Sequence, residues 1–137
     1  MQEAQNTKIV QDAYGAFGRG DIPAVLNLLD DNVTWKPITG AASYVPTAGE
    51  RHGKTSVGEF FRILGQNVQF EKFEPREFVA QGDKVVALGG YKGKTPTGRT
   101  FDSEWVMIFT FRDGKVVSFQ EFADSAALNA AYQPATA

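Results

Sequence analysis

The stretch "RTFDSEWVMIFTFR", Arg99 to Arg112, alternates between two kinds of side chain over its whole length, and a period of two sustained that far is a β-strand with unlike faces. Phe101, Ser103, Trp105, Met107, Phe109 and Phe111 share one face. Asp102, Glu104, Val106, Ile108 and Thr110 share the other. The aromatic face needs a cover, so this strand belongs to a sheet with a layer packed on one side. Eleven Phe, two Trp and four Tyr in 137 residues exceed what a core of this size ordinarily absorbs, which points to a core or pocket lined by rings.

The segments before and after this strand repeat its period. Residues 68–80, 84–94 and 115–123 read as strands, punctuated by Gly82-Asp83, Thr95-Pro96-Thr97-Gly98 and Asp113-Gly114, and together they form an antiparallel meander. The first half of the chain has a helical period instead. Ile9, Val10, Ala13, Tyr14 and Phe17 mark one helix that ends at Gly18 and Gly20. Asp21 caps a short second helix with Pro23 in its first turn. Val33 and Trp35 suggest a brief strand between turns holding Asp30 and Asp31. Residues 37–53 suit a long surface loop with functional potential. Val57, Phe60, Phe61 and Leu64 mark a third helix, with Ser56 and Glu59 as capping residues and Gly65 as its end. A last helix spans Ser125 to about Tyr132, and the tail Gln133 to Ala137 is expected to fray. The whole, residues 1–137, is expected to be one α+β domain with helices against one face of the sheet.

Charge and rare residues exclude several functions. A formal charge of −2 with scattered Lys and Arg offers no phosphate-binding face, so no nucleic-acid partner is expected. Zero cysteines and a single histidine leave no thiolate or multi-histidine metal centre, and neither metal nor cofactor is expected. No apolar stretch reaches membrane-spanning length, so a soluble, cytoplasmic protein without a membrane partner is expected.

The run "FGRGDIPAVLNLLDDNVTW" (Phe17 to Trp35), the Pro46 to Gly53 pattern leading into "VGEFF", and "FTFRDGKVVSFQEFAD" (Phe109 to Asp124) resemble the SnoaL-like branch of the nuclear transport factor superfamily. Ketosteroid isomerases, polyketide cyclases, limonene epoxide hydrolases and scytalone dehydratases are relatives. The resemblance runs from about Lys8 to Leu128. It implies a cone, in which a curved antiparallel sheet encloses a pocket gated by the helices and the long loop. It also implies a homodimer through the outer sheet face, where Val106, Ile108, Val116 and Phe122 lie beside Asp102, Glu104 and Gln120. The catalytic residues of the known enzymes do not carry over. The ketosteroid isomerase base falls near Lys36 or Pro37 and its protonated Asp at Met107, with only Tyr14 near the family's tyrosine. Arg99 and Asp102 point to opposite faces, unlike the epoxide hydrolase arrangement, and one histidine cannot supply the dehydratase pair.

Which residue of the last strand enters the cone depends on the turn at "RDGK". A two-residue Asp113-Gly114 turn pairs Met107 with Gln120. A three-residue turn with Gly114 as a bulge pairs Met107 with Phe119 and turns Val117, Phe119, Glu121 and Ala123 inward, the arrangement favoured here. Glu121 then becomes the deep carboxylate, its pKa raised by desolvation, and it serves either as a proton-transfer group or as a pocket-shaping residue bonded to Tyr14, Trp35 or Trp105. The remaining pocket candidates are Tyr14, Trp35, Tyr44, His52, Phe60, Tyr91, Trp105, Met107 and Phe119. His52 is read as a hydrogen-bonding residue at the start of the third helix or the lid, with catalysis as the lesser alternative, since no partner carboxylate is assigned to it. Two functions follow. One is an isomerase, cyclase or dehydratase acting by proton transfer on a small apolar carbonyl compound; the other is a non-catalytic small-molecule binder or dimeric adaptor.

Overall fold

The computed structural model describes residues 2–133. In chain order they form helices α1 (Gln2–Gly18) and α2 (Ile22–Asn27), strands β1 (Leu29–Lys36) and β2 (Arg51–His52), and helix α3 (Lys54–Asn67). Four long strands follow, β3 (Gln69–Gln81), β4 (Lys84–Lys94), β5 (Thr100–Arg112) and β6 (Lys115–Ala123), and then helix α4 (Ser125–Tyr132). The strands make one curved sheet in the order β2-β1-β6-β5-β4-β3, so the architecture is α+β. Of the tail expected to fray, residues 134–137 lie outside the described residues.

The meander β3 to β6 is antiparallel throughout, but β1 joins it parallel to β6, with Trp35 beside Phe119. β1 is longer than the alternation at Val33 and Trp35 suggests. Asp30 and Asp31 lie inside its irregular first half rather than in a turn, where Asp30 Oδ2 accepts from the Asn32 amide at 2.9 Å. The face assignment of β5 holds residue by residue: Phe101, Trp105, Met107, Phe109 and Phe111 are all buried.

The β5–β6 turn has two residues, Asp113 and Gly114, both with positive φ (52° and 78°), and it pairs Arg112 with Lys115. That is the twist a tight hairpin prefers. The expected three-residue turn is therefore replaced by a two-residue one. The register still slips by one, because Phe111 faces Val116 while Thr110 faces Ser118, leaving Val117 as a bulge within β6. Phe119 and Glu121 point inward as expected, yet Met107 pairs with Glu121 rather than with Phe119. Val116, expected on the outer face, is buried in the core, and Val117 is only half-buried.

Helices α1 and α3 lie over the concave face, and Val10, Val57 and Phe60 join the sheet residues in one core. Asp21 and Asp124 cap α2 and α4 through side-chain bonds to Ala24 and Ala127. α3 differs from expectation at both ends. Gly53, at φ 85°, is its N-cap without a side-chain bond, and the helix continues through Gly65 to Asn67. The burial of Phe60 and packing of Phe61 and Leu64 outweigh the roughly 1 kcal/mol that an internal glycine costs.

On the inner face of β4, glycine makes room for rings. A Cβ at Gly89 would stand 2.5 Å from Trp105 Cζ2, and one at Gly93 would stand 2.7 Å from Phe101 Cζ. The rings of Trp105 and Phe101 thus approach the β4 backbone more closely than any side chain at these positions would allow.

Candidate active site

Between the sheet and the helices lies a cavity of about 100 Å³, far more than a single water needs. More than half of its bordering residues are aromatic. α1 contributes Tyr14 and Phe17, α3 contributes Phe60, Phe61 and Leu64, and α4 closes one side with Leu128 and Tyr132. The sheet supplies Trp35, Tyr91, Met107, Phe119 and Glu121. Among the described residues, no Lys, Arg, His or Asp borders it.

Among the described residues, Glu121 is the one carboxylate on this wall. It is 6% exposed, and its position follows from the bulge at Val117, which turns it inward opposite Met107. Tyr91, two strands away on β4, reaches across β5 and donates its hydroxyl proton to Glu121 Oε2 at 2.6 Å. Burial in apolar surroundings pushes the Glu121 carboxyl up to about 7, against the opposing effect of the Tyr91 bond. Burial also raises Tyr91 and Tyr14 well above the ordinary tyrosine range, and the neighbouring Glu121 carboxylate adds to both shifts, so these phenols remain neutral donors.

Tyr14 hangs from α1, and its hydroxyl donates to Met107 Sδ at 3.0 Å, a weak acceptor that a better one could displace. Its ring stacks on Trp105 (5.7 Å between centroids) and meets the edge of Phe109 (5.9 Å). Trp35 stacks on Phe119 with centroids 3.9 Å apart. These contacts fix the rings that carry the polar atoms. A carboxyl poised near neutrality beside two neutral phenols can take up or give back a proton and can bond a developing oxyanion.

Of the ten residues read from the sequence, Glu121, Tyr14, Trp35, Phe60, Tyr91, Met107 and Phe119 border the cavity. Three do not. Trp105 is buried behind Tyr14 and serves as its backing. Tyr44 is 47% exposed, and its hydroxyl donates to the Asn129 carbonyl; with the bonds of Asn129 to Ala42 and Gly40 it fastens the long loop to α4. His52 sits in β2 with its side chain 66% exposed, and its Nε2 lies 2.8 Å from Glu50 Oε2, the carboxylate partner that the sequence reading did not assign. Tyr132 and Leu128 were missed, because a short C-terminal helix gives no sign of what it covers. Phe101 and Phe109 were legible from the parity of β5. Among the described residues, no group of three or more His, Asp or Glu converges as metal ligands would. No helix among them is long and apolar enough to cross a membrane.

The SnoaL-like domain family matches residues 10–119. Among solved structures, an NTF2-like protein from Burkholderia xenovorans LB400 is 34% identical, with a TM-score of 0.86 over 96% of this chain and 98% of that one. An NTF2-like protein of unknown function from Burkholderia pseudomallei K96243 is 27% identical (TM-score 0.83, over 94% and 98%). TerC, co-crystallized with polyporic acid, is 26% identical (TM-score 0.80, over 93% and 98%). No functionally curated protein matches the chain significantly.

Proposed function

The chain belongs to the SnoaL-like domain family, and on that premise we propose that its cavity takes a small, largely apolar carbonyl compound on which Glu121 transfers a proton. The reaction class is that of an isomerase, cyclase or dehydratase. The observation that carries this reading is the hydrogen bond from Tyr91 to Glu121 inside an apolar cavity. A merely structural carboxyl would gain nothing from burial that a glutamine could not supply, whereas a base needs its pKa near the working pH.

In the proposed mechanism the ionised Glu121 carboxylate accepts a proton from a carbon next to the substrate carbonyl. Tyr14 moves its hydroxyl bond from Met107 Sδ to the enolate oxygen. Tyr91 keeps the carboxyl oriented while the proton returns at a second carbon or the intermediate closes or loses water. A positioned base contributes about 10²–10⁴-fold, and one oxyanion donor about 10²–10³-fold. Co-crystallization of the similar TerC with polyporic acid supports the reading that a cone of this kind takes small molecules. Deuterium uptake from solvent into a panel of enolisable cyclic ketones tests the reading: the wild-type protein accelerates exchange and Glu121→Gln does not. Equal exchange by both overturns it.

The aromatic side chains and Met107 that crowd the cavity favour a second reading, in which the cone is a non-catalytic binder. Under either reading we expect a cytoplasmic homodimer that joins through the outer sheet face, where Phe122 is 40% exposed.

A further inference from the structure

Besides the Trp35 indole N–H, which is buried without a partner, two polar groups facing each other at the cavity lack a good one. Glu121 Oε2 is bonded to Tyr91, but Oε1 has no hydrogen-bond partner among the described residues. The Tyr14 hydroxyl has only a thioether sulfur. Met107 carries that sulfur and pairs directly with Glu121 across β5 and β6, and the Tyr14 hydroxyl feels the Glu121 charge, so the two unmet groups are neighbours on one wall.

Resting on the functional reading above, we propose that the ligand is an uncharged single-ring compound with a hydroxyl on the carbon next to its carbonyl, the hydroxyl meeting Glu121 Oε1 and the carbonyl meeting Tyr14. Three constraints select this class. A carbonyl alone satisfies Tyr14 and leaves Glu121 Oε1, a donor when the carboxyl is protonated and an acceptor when it is ionised, without a partner. An anion would be buried with no cationic side chain on the wall among the described residues. The packed rings around the cavity favour a compact ligand, and a single ring is the smallest carrier of both groups. Compounds that present the same polar group as a carboxylate, or that carry an acidic tail, are therefore rejected.

Calorimetric titration at about pH 6, with a chelator present to exclude metal effects, uses tropolone, tropone and benzoate as probes. Tropolone carries the adjacent hydroxyl and carbonyl, tropone lacks the hydroxyl, and benzoate is an anion of similar size. Tropolone is expected to bind about tenfold tighter than tropone, the worth of one well-made hydrogen bond, and benzoate not measurably. In Glu121→Leu the two neutral probes should bind equally; in Tyr14→Phe both should weaken severalfold with their ratio kept. Equal binding of tropolone and tropone to the wild type, binding of benzoate, or no binding of any probe overturns the proposal. Should Glu121→Leu fail to fold, loss of the tenfold ratio in Tyr14→Phe also overturns it. Tropolone selectivity without ketone exchange would retain this ligand class and discard proton transfer; exchange without selectivity would do the reverse.

Discussion

The Tyr91 hydroxyl lies 2.6 Å from Glu121 Oε2, joining β4 to β6 over the top of β5 inside the cavity. This bond holds the Glu121 pKa below what burial alone would impose. In Tyr91→Phe the carboxyl should titrate at a higher pH, and the rising limb of the ketone-exchange profile should move to higher pH with it. A profile that stays in place would mean that Tyr91 does not tune the base. The fold should lose about 1–3 kcal/mol in urea unfolding, since a buried acceptor loses its donor.

Stability should fall as pH rises. The Glu121 carboxyl titrates at about 7 in the fold against an ordinary 4.5, so between those values the native state holds more protons than the unfolded chain. The contribution is fully lost above pH 7 and amounts to something on the order of 3 kcal/mol. Urea unfolding at pH 5 and pH 8 should therefore show a shallower difference for Glu121→Gln than for wild type. Identical differences would show that Glu121 ionises without penalty.

Removal of His52 should change little. Its side chain is mostly exposed, pairs with Glu50, and stands off the cavity wall. His52→Gln should keep ketone exchange and tropolone binding within about twofold and stability within about 0.5 kcal/mol. Abolished exchange with an unchanged melting temperature would return His52 to the site.

The outer sheet face carries Phe122, with half-buried Val106 and Ile108 nearby, and such a patch on a curved sheet calls for a partner surface. Light scattering at micromolar concentration should report a dimer for wild type and a monomer for Phe122→Glu. A wild-type monomer would contradict a second copy as the occupant.

Much of this was legible in sequence where one local rule decides. The parity of β5 alone identifies its buried rings, and Asp21 with Pro23 marks the start of α2. The direction of Glu121 followed from a correct parity reached by the wrong device: the slip comes from a bulge at Val117, which Val116-Val117 gives no local signal for, and not from the turn. The Tyr91 partnership depends on register summed over two strand pairs, so no stretch of sequence contains it. His52 and Glu50 are two residues apart and met in β2 and its approach, a short pairing with β1 that composition hid within a loop.

The account depends most on a carboxyl that is held inside an aromatic cavity and changes charge near neutrality. Carbon-13 NMR of protein labelled at the Glu side-chain carboxyl carbons, with the Glu121 resonance assigned by its absence from Glu121→Gln, follows that ionisation directly through a pH titration. A midpoint near 7 that rises in Tyr91→Phe is the expected result. A midpoint at the ordinary value of 4.5, unmoved by that substitution, would contradict the account.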